Sequence, residues 1–431
     1  MTSRKTRLIA FGLAFAGSLV GVAPASAQFG QAAGFGEVMS PYFLRRDLNL
    51  IVDGLSLDDE QAVIVESLFF DYEADHERAK AAMMESMQSL KDVAQNADRA
   101  ELLDMVFKPF EEKAEAWEIG RTQFIENLQL ILGADQRDQF PEFMRDLRRQ
   151  KELPSGMLSG ESVDLIQVLD TVGYAGSRLA SLGTLADDYE LALDLALQAR
   201  EVEIANGRLP MMQTLKDDDH SLALQLYKTQ IDRRLAVRNV NDEYIDLIAA
   251  AMPEDDASAF RTEALSRGYA RIYRPTSSQR IFKAAKKLET ISAETLVAIE
   301  ELEAAYLAEL FVINDELVYL VRVSEPKEEM DQAERAATGQ RRDLNRGGQA
   351  PANPTRDGFT RRQVLGKQYM KMLQGILTKS EFASLPGASR FLPRKVGENL
   401  IGAEQDQPGA NKPKPGTPGQ RRPDRTGGSG S

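Results

Sequence analysis

Two histidines, His76 and His220, are the only imidazoles in a chain of 431 residues that contains no cysteine. Glu73-Ala74-Asp75-His76 is a Glu-x-x-His, the i, i+3 spacing that turns a carboxylate and an imidazole to one face of a helix, as in di-iron helical bundles. Such a centre needs a second pair and two more inward carboxylates. The other histidine lies in Asp217-Asp218-Asp219-His220, with Asp where Glu should stand. Glu73 and His76 are therefore candidate metal ligands without evident partners. His76 reads more simply as a partly buried residue continuing a Val65, Leu68, Tyr72 face. Asp217 to Asp219 read as an acidic first turn, which the helix dipole favours.

The remaining chemistry is narrowed by what is missing. Without cysteine there are no disulfides, thiolate metal sites, Cys nucleophiles or lipoprotein acylation. Gly-x-Ser-x-Gly, Walker, Gly-x-Gly-x-x-Gly and EF-hand patterns are absent. One tryptophan and 7% aromatics argue against a base-stacking or sugar-stacking groove. No catalytic residue and no cofactor are expected, and the protein is read as acting by binding. Met83, Met84 and Met87 read as core filler, or as a soft patch for varied partners.

The elements that position these residues are helical almost throughout. Arg4, Lys5 and Arg7, the apolar stretch Leu8 to Val22 and Ala25-Ser26-Ala27 read as a secretory signal peptide over 1–27, which implies a periplasmic or extracellular protein with no membrane span after cleavage. The mature chain then carries 50 basic against 66 acidic residues, a net charge of −16, which disfavours nucleic acid as a partner. A linker follows over 28–47. From Asp58 to Gln150 the sequence is rich in Ala, Glu, Leu, Met, Gln and Arg with helical periodicity, Val65, Leu68, Tyr72, Ala79 and Met83 falling on one face. Further runs are expected at 98–131, with Pro109 as a start or kink, at 135–149, and at 161–182, 185–205, 214–252 and 254–272, punctuated by Pro210 and Pro253. Ile299, Leu302, Tyr306, Leu310, Ile313, Leu317 and Leu320 form a near-heptad seam that needs a partner helix, in a coiled coil or on a globular core. Residues 325–357, charged and then rich in Gly, Pro and Asn, are expected to be a disordered insertion. The tail 401–431 has 5 Pro, 7 Gly and a net charge of +2, and is read as disordered. Its sharper reading is a contact with anionic envelope polymers.

Internal similarity organises these runs. Leu128 to Pro141 and Leu373 to Pro386 share five of fourteen residues, where chance gives about one. Tyr244, Ile248, Met252, Asp256 and Phe260 form a fainter third copy. Upstream, Leu57, Val65, Leu68 and Tyr72 map onto Ile291, Ile299, Leu302 and Tyr306 at an offset of 234. In the middle only Leu185 and Tyr189 continue that pattern. The chain is read as three related helical units, 48–153, 160–273 and 275–393.

Each unit opens and closes on a capped helix start. In Leu57-Asp58-Asp59-Glu60-Gln61, Asp58 can accept from the first turn, Gln61 can reach back to the cap N–H, and Leu57 can act as a hydrophobic staple. Leu132 to Gln136, Ser292 with its preceding Ile291, and Leu377-Thr378-Lys379-Ser380-Glu381 repeat the logic. Met252 to Asp256 is the middle counterpart. These pentads resemble the LTxxQ motif of the Spy/CpxP family of periplasmic helical proteins, one copy opening the first long helix and another the last. The spacing, 75 residues from Leu57 to Leu132 and 86 from Ile291 to Leu377, agrees with the resemblance. It implies an all-α, cradle-like protein, usually dimeric, that holds unfolded polypeptides or touches a sensor during envelope stress. Family members are single, usually more basic units, whereas this chain has three and is acidic. A structural or scaffold protein of the envelope is the alternative, and a metal-binding bundle a third.

Overall fold

A computed structural model describes residues 40–93, 99–338 and 353–392. The segment 1–27 read as a signal peptide, residues 401–431 and most of the Gly/Pro/Asn-rich stretch lie outside them. Among the described residues all regular structure is helical. A short helix, two long helices and a closing helix follow one another three times. The first set is α1 (Arg45–Gly54), α2 (Asp59–Val93), α3 (Arg99–Ile131) and α4 (Ala134–Glu152); the second is α5 (Leu165–Thr171), α6 (Leu185–Asp217), α7 (His220–Ala250) and α8 (Glu254–Gly268); the third is α9 (Ser277–Ala285), α10 (Ala293–Ala337), α11 (Pro354–Ile376) and α12 (Lys379–Ser384). Two compact bodies divide the chain, Met1–Thr276 with Glu301–Gly366, and Ser277–Glu300 with Lys367–Ser431.

In the larger body α2 packs along α3, and α6 along α7. Val65, Phe69 and Tyr72 of α2 join Phe43, Ile51, Phe124, Leu128 and Phe140 in one apolar core. The Phe43 and Phe124 rings lie 4.8 Å apart. Met83 continues the α2 face into a second cluster with Phe110, Trp117 and Met212. Leu165, Tyr189, Leu193, Leu197, Val237, Ile248 and Phe260 form a third. Each fully buried side chain of this size contributes about 1.5–3 kcal/mol, which lets packing override unfavourable local sequence. In the smaller body α9 buries Ser278, Ile281, Phe282 and Ala285, and Leu373, Leu377, Phe382, Leu385 and Ala388 are also buried.

Several sequence expectations are corrected by this packing. Residues 42–47, assigned to a linker, are held in place, because the Tyr72 hydroxyl accepts from the N–H groups of Tyr42 at 2.9 Å and Phe43 at 3.4 Å. The helix expected over 161–182 is two short pieces, α5 and the single turn Ser177–Ala180, separated by Gly173 and Gly176 at positive φ. Pro210 lies inside α6; burial of Met211 and Met212 beside it offsets the roughly 3 kcal/mol that an interior proline costs. Asp217 ends α6, Asp218 takes the left-handed conformation at φ 57°, and Asp219 caps α7 by accepting from Leu222 N–H, so this run is a helix-to-helix turn. The stretch 325–357 is helical at its start, α10 continuing through Pro326 to Ala337. Met330 and Ala333 pack there with Met211, Tyr227 and Ile231, and Glu325 is bonded to Ser159.

The heptad seam of α10 is an inward face. Tyr306, Leu310 and Leu317 are buried, and Ile313, Leu317 and Val318 pack with Tyr269, Ile272 and Phe359. Gly358 allows α11 to come this close, since a Cβ there would lie 2.5 Å from Leu317 Cδ2.

Candidate functional site

The helix-cap residues meet in pairs. Asp58 Oδ1 accepts from Gln61 N–H at 2.8 Å while Gln61 Oε1 accepts from Asp58 N–H at 3.1 Å. Gln136 Oε1 accepts from Gly133 N–H at 2.8 Å. The two glutamine amides then bond each other reciprocally, at 2.8 and 2.9 Å. Gln61 Nε2 also donates to Ile131 O and Gln136 Nε2 to Ser56 O; each carbonyl lies two residues before the other glutamine's cap. The pair is therefore two-fold symmetric in its bonding. Leu57 packs at the edge of the core and Leu132 is buried in it.

Related contacts recur in the later sets. Adding 117 to Ser56, Leu57 and Gln61 gives Gly173, Tyr174 and Arg178. Arg178 donates to Gly173 O at 3.3 Å and to Asp256 at 2.7 Å, and Tyr174 donates to the same Asp256 oxygen at 2.9 Å. Asp256 is the sequence counterpart of Gln136, so an ion pair stands where two amides do. These bonds from Arg178 and Tyr174 hold the Asp256 carboxyl below its ordinary value. In the smaller body Ser292 Oγ accepts from Thr295 N–H at 3.1 Å, and Glu381 accepts from Thr378 N–H, from the Thr378 hydroxyl, and at 2.8 Å from the Thr290 hydroxyl. Thr290 lies 234 residues after Ser56. Leu377, before this cap, is buried.

Tyr72, Tyr189 and Tyr306 are also spaced by 117, and each anchors chain 24 to 30 residues upstream. Tyr189 OH accepts from Leu165 N–H at 3.1 Å, and Tyr306 OH bonds the Thr276 hydroxyl at 2.8 Å. Burial raises the titration of Tyr72 and Tyr189.

The sequence reading missed a buried polar network around the 153–164 loop. Glu161 is fully buried and accepts four hydrogen bonds: Met157 N–H at 2.7 Å, Leu158 N–H at 3.0 Å, Arg200 at 2.6 Å and Arg234 at 3.1 Å. Asn241 donates to the carbonyls of Gly160 and Glu161 and accepts from Tyr189 OH. Gly160, at φ +85°, has no room for a Cβ, which would lie 2.8 Å from the Tyr269 hydroxyl. Arg322 bonds Tyr269 and Asp242, and Glu325 accepts from the Ser159 N–H and hydroxyl. Desolvation raises the carboxyls of Asp242 and Glu325 above their ordinary values despite Arg322 beside Asp242 and Arg238 beside Glu325. The signal was present in the sequence: Arg200 follows Leu193 and Leu197 at helical spacing, so it lies on the buried stripe rather than among the solvated charges.

The metal candidates are separated from this network in role. His76 is buried and stacked on Trp117, ring centroids 5.1 Å apart, and Trp117 Nε1 donates to its backbone carbonyl. Glu73 is half-buried. Among the described residues no group of three or more His, Asp or Glu is placed to hold a metal. His220 is half-exposed and lies 3.7 Å from Asp218.

Large apolar side chains are exposed along the outer faces of two long helices. On α6 they are Leu191, Leu195, Val202 and Leu209; Leu195 is 68% exposed. With Gln198 and Ala205 they follow a 4-3-4-3-4 spacing. On α10 they include Phe311, Val312, Tyr319 and Val323, with Val312 65% exposed. Leu195 and Val312, and Val202 and Tyr319, again differ by 117. Comparison with family models, with curated proteins and with solved structures finds no match to this chain. Among the described residues no helix is long and apolar enough to cross a membrane.

Proposed function

We propose that this protein is an exported, non-enzymatic helical binding protein built from three copies of one Spy/CpxP-like unit, which holds or senses polypeptides of the cell envelope. The recurrence of four-helix sets, of tyrosine anchors at 117-residue intervals and of paired caps at matching positions supports the threefold unit. The resemblance of the capped pentads to LTxxQ supports the family reading. The observation that carries the function is the apolar stripe: chain exposes Leu195, Val202, Val312 and Tyr319 at repeat-equivalent places, where burial against a partner recovers roughly 25 cal/mol per Å² of apolar surface.

Light scattering of a reduced or heated client protein tests this. Purified protein at or below stoichiometric amounts suppresses aggregation, and the variants Leu195→Glu with Val202→Glu and Val312→Glu with Tyr319→Glu, altered only at exposed positions, lose that suppression. Aggregation unchanged by the wild-type protein overturns the holdase reading. The 4-3-4-3-4 spacing on α6 favours a second reading, a scaffold that pairs with one fixed helix. In that case a pull-down from the envelope fraction returns one dominant partner instead of a broad client spectrum, and deleting residues 401–431 releases the protein from that fraction.

A further inference from the structure

Between α3 and α6 the larger body holds a groove of about 550 Å³, within the roughly 300–1,000 Å³ typical of ligand-binding pockets. Its floor is apolar. Met212 of α6 is buried and Phe107 of α3 half-buried there, and both pack in the cluster around Trp117. Leu209 and Pro210, both exposed, line the α6 side. Leu209 is also the last residue of the exposed 4-3-4-3-4 stripe on α6, so the groove continues that stripe. Pro210 has no N–H, so the carbonyl of Asn206, one turn earlier in the same helix, lacks its usual intrahelical donor. The rim carries two charges on α3. Asp104 accepts from Lys216 Nζ at 2.6 and 2.8 Å, which offsets its charge. Lys108, exposed one turn further along, has no carboxylate partner among the described residues. An apolar floor and one uncompensated ammonium therefore share a single concave space.

Such a space selects for a combination of groups. A bulky apolar side chain gains by leaving water for the Phe107 and Met212 floor, a carboxylate next to it gains from Lys108, and a lysine or arginine in that place is repelled. We propose that this groove is the anchoring subsite of the α6 stripe, taking a phenylalanine- or leucine-sized side chain of an extended polypeptide whose neighbouring residue is Asp or Glu. The assignment rests on the reading of that stripe as a polypeptide-binding face, and it adds a sequence preference to it. The bound chain also brings backbone N–H groups to the side of α6 where the Asn206 carbonyl lacks one. Exposed apolar side chains along the rest of the stripe give affinity for polypeptide in general; the groove sets which residue of the chain is held and in what company. Trp117 is the single tryptophan of the protein and packs with the groove floor, so occupancy is visible in its emission.

The test uses the full-length chain and three end-blocked tetrapeptides, Gly-Phe-Asp-Gly, Gly-Ser-Asp-Gly and Gly-Phe-Lys-Gly, none of which contains tryptophan. Trp117 emission and the ¹³C-methyl signal of Met212 are followed together. The Phe-Asp peptide moves both with one saturating dissociation constant. Serine in place of Phe weakens binding about 10-fold or more. Lysine in place of Asp weakens it about 2- to 5-fold, an effect that fades at high salt. Lys108→Glu, a change at an exposed position, reverses the preference between the Asp and Lys peptides, and Leu209→Asp weakens the Phe-Asp peptide about 10-fold, while the helical circular dichroism of both variants matches the wild type. Equal binding of the Phe and Ser peptides, no movement of either signal, or a preference for Asp that survives Lys108→Glu overturns the groove assignment. If the wild type still suppresses client aggregation alongside such a result, the groove alone falls and the stripe reading stands; a wild type that neither binds the peptides nor suppresses aggregation removes both.

Discussion

Replacing Glu161 with glutamine removes one charge and almost no volume from the centre of the larger body. The wild-type carboxylate is fully buried and holds two loop N–H groups and two guanidinium groups. Glutamine keeps one acceptor oxygen and turns an NH₂ towards groups that are all donors. Hydrogen bonds to charged groups contribute about 1.5–3 kcal/mol each, and removing one partner from a buried ion pair costs about 3–5 kcal/mol. Arg200 retains a second contact, to the Glu152 carbonyl at 2.6 Å and its carboxylate at 3.4 Å, which places the expected loss near 3 kcal/mol. Equilibrium urea unfolding, followed by helical circular dichroism and by the fluorescence of Trp117, measures it. Trp117 packs against Met83 of α2 and Met212 of α6, so its signal reports where the first and second helix sets join. A cost below about 1 kcal/mol for Glu161→Gln refutes the argument that this carboxylate organises the loop.

Three further outcomes follow from the geometry. Gln61→Ala and Gln136→Ala each destabilise by about 1–2 kcal/mol, and the double variant costs less than the two together, since each amide serves the other; strict additivity in a double-mutant cycle contradicts the reciprocal pair. Gly268→Ala, whose Cβ would lie 2.7 Å from Val163 Cγ2 and 3.2 Å from Gly160 Cα, destabilises by about 1–3 kcal/mol in thermal unfolding, whereas Gly120→Ala, facing open space within a helix, is neutral or stabilising. Burial raises the Asp242 carboxyl above its ordinary value of 3.8, so its contribution to stability is complete below that pH and is lost as pH rises through the folded-state value; Asp242→Asn therefore gains stability relative to wild type as pH rises across that window, and a parallel pair of stability curves contradicts it.

Local features were the ones readable in the sequence. The Asp58 and Gln61 cap is an i, i+3 interaction within one helical turn, and the α2 face from Val65 to Met83 is a matter of period alone. The Glu161 network joins residues 39 and 73 positions apart, so it emerges only when α6 and α7 are laid beside the loop. Pro210 misleads for the same reason, since tertiary packing decides its helix. The reciprocal Gln61 and Gln136 contact lay between these cases: both residues were marked as caps, but nothing local placed the two caps against each other.

The central claim is that the outer stripes of α6 and α10 take up polypeptide, and hydrogen exchange with and without an unfolded client measures this directly. Binding is expected to slow exchange in peptides covering residues 191–209 and 307–323, with little change across the caps at 56–61 and 131–136. Exchange along both stripes that is unaltered by a client shown to be bound contradicts the claim.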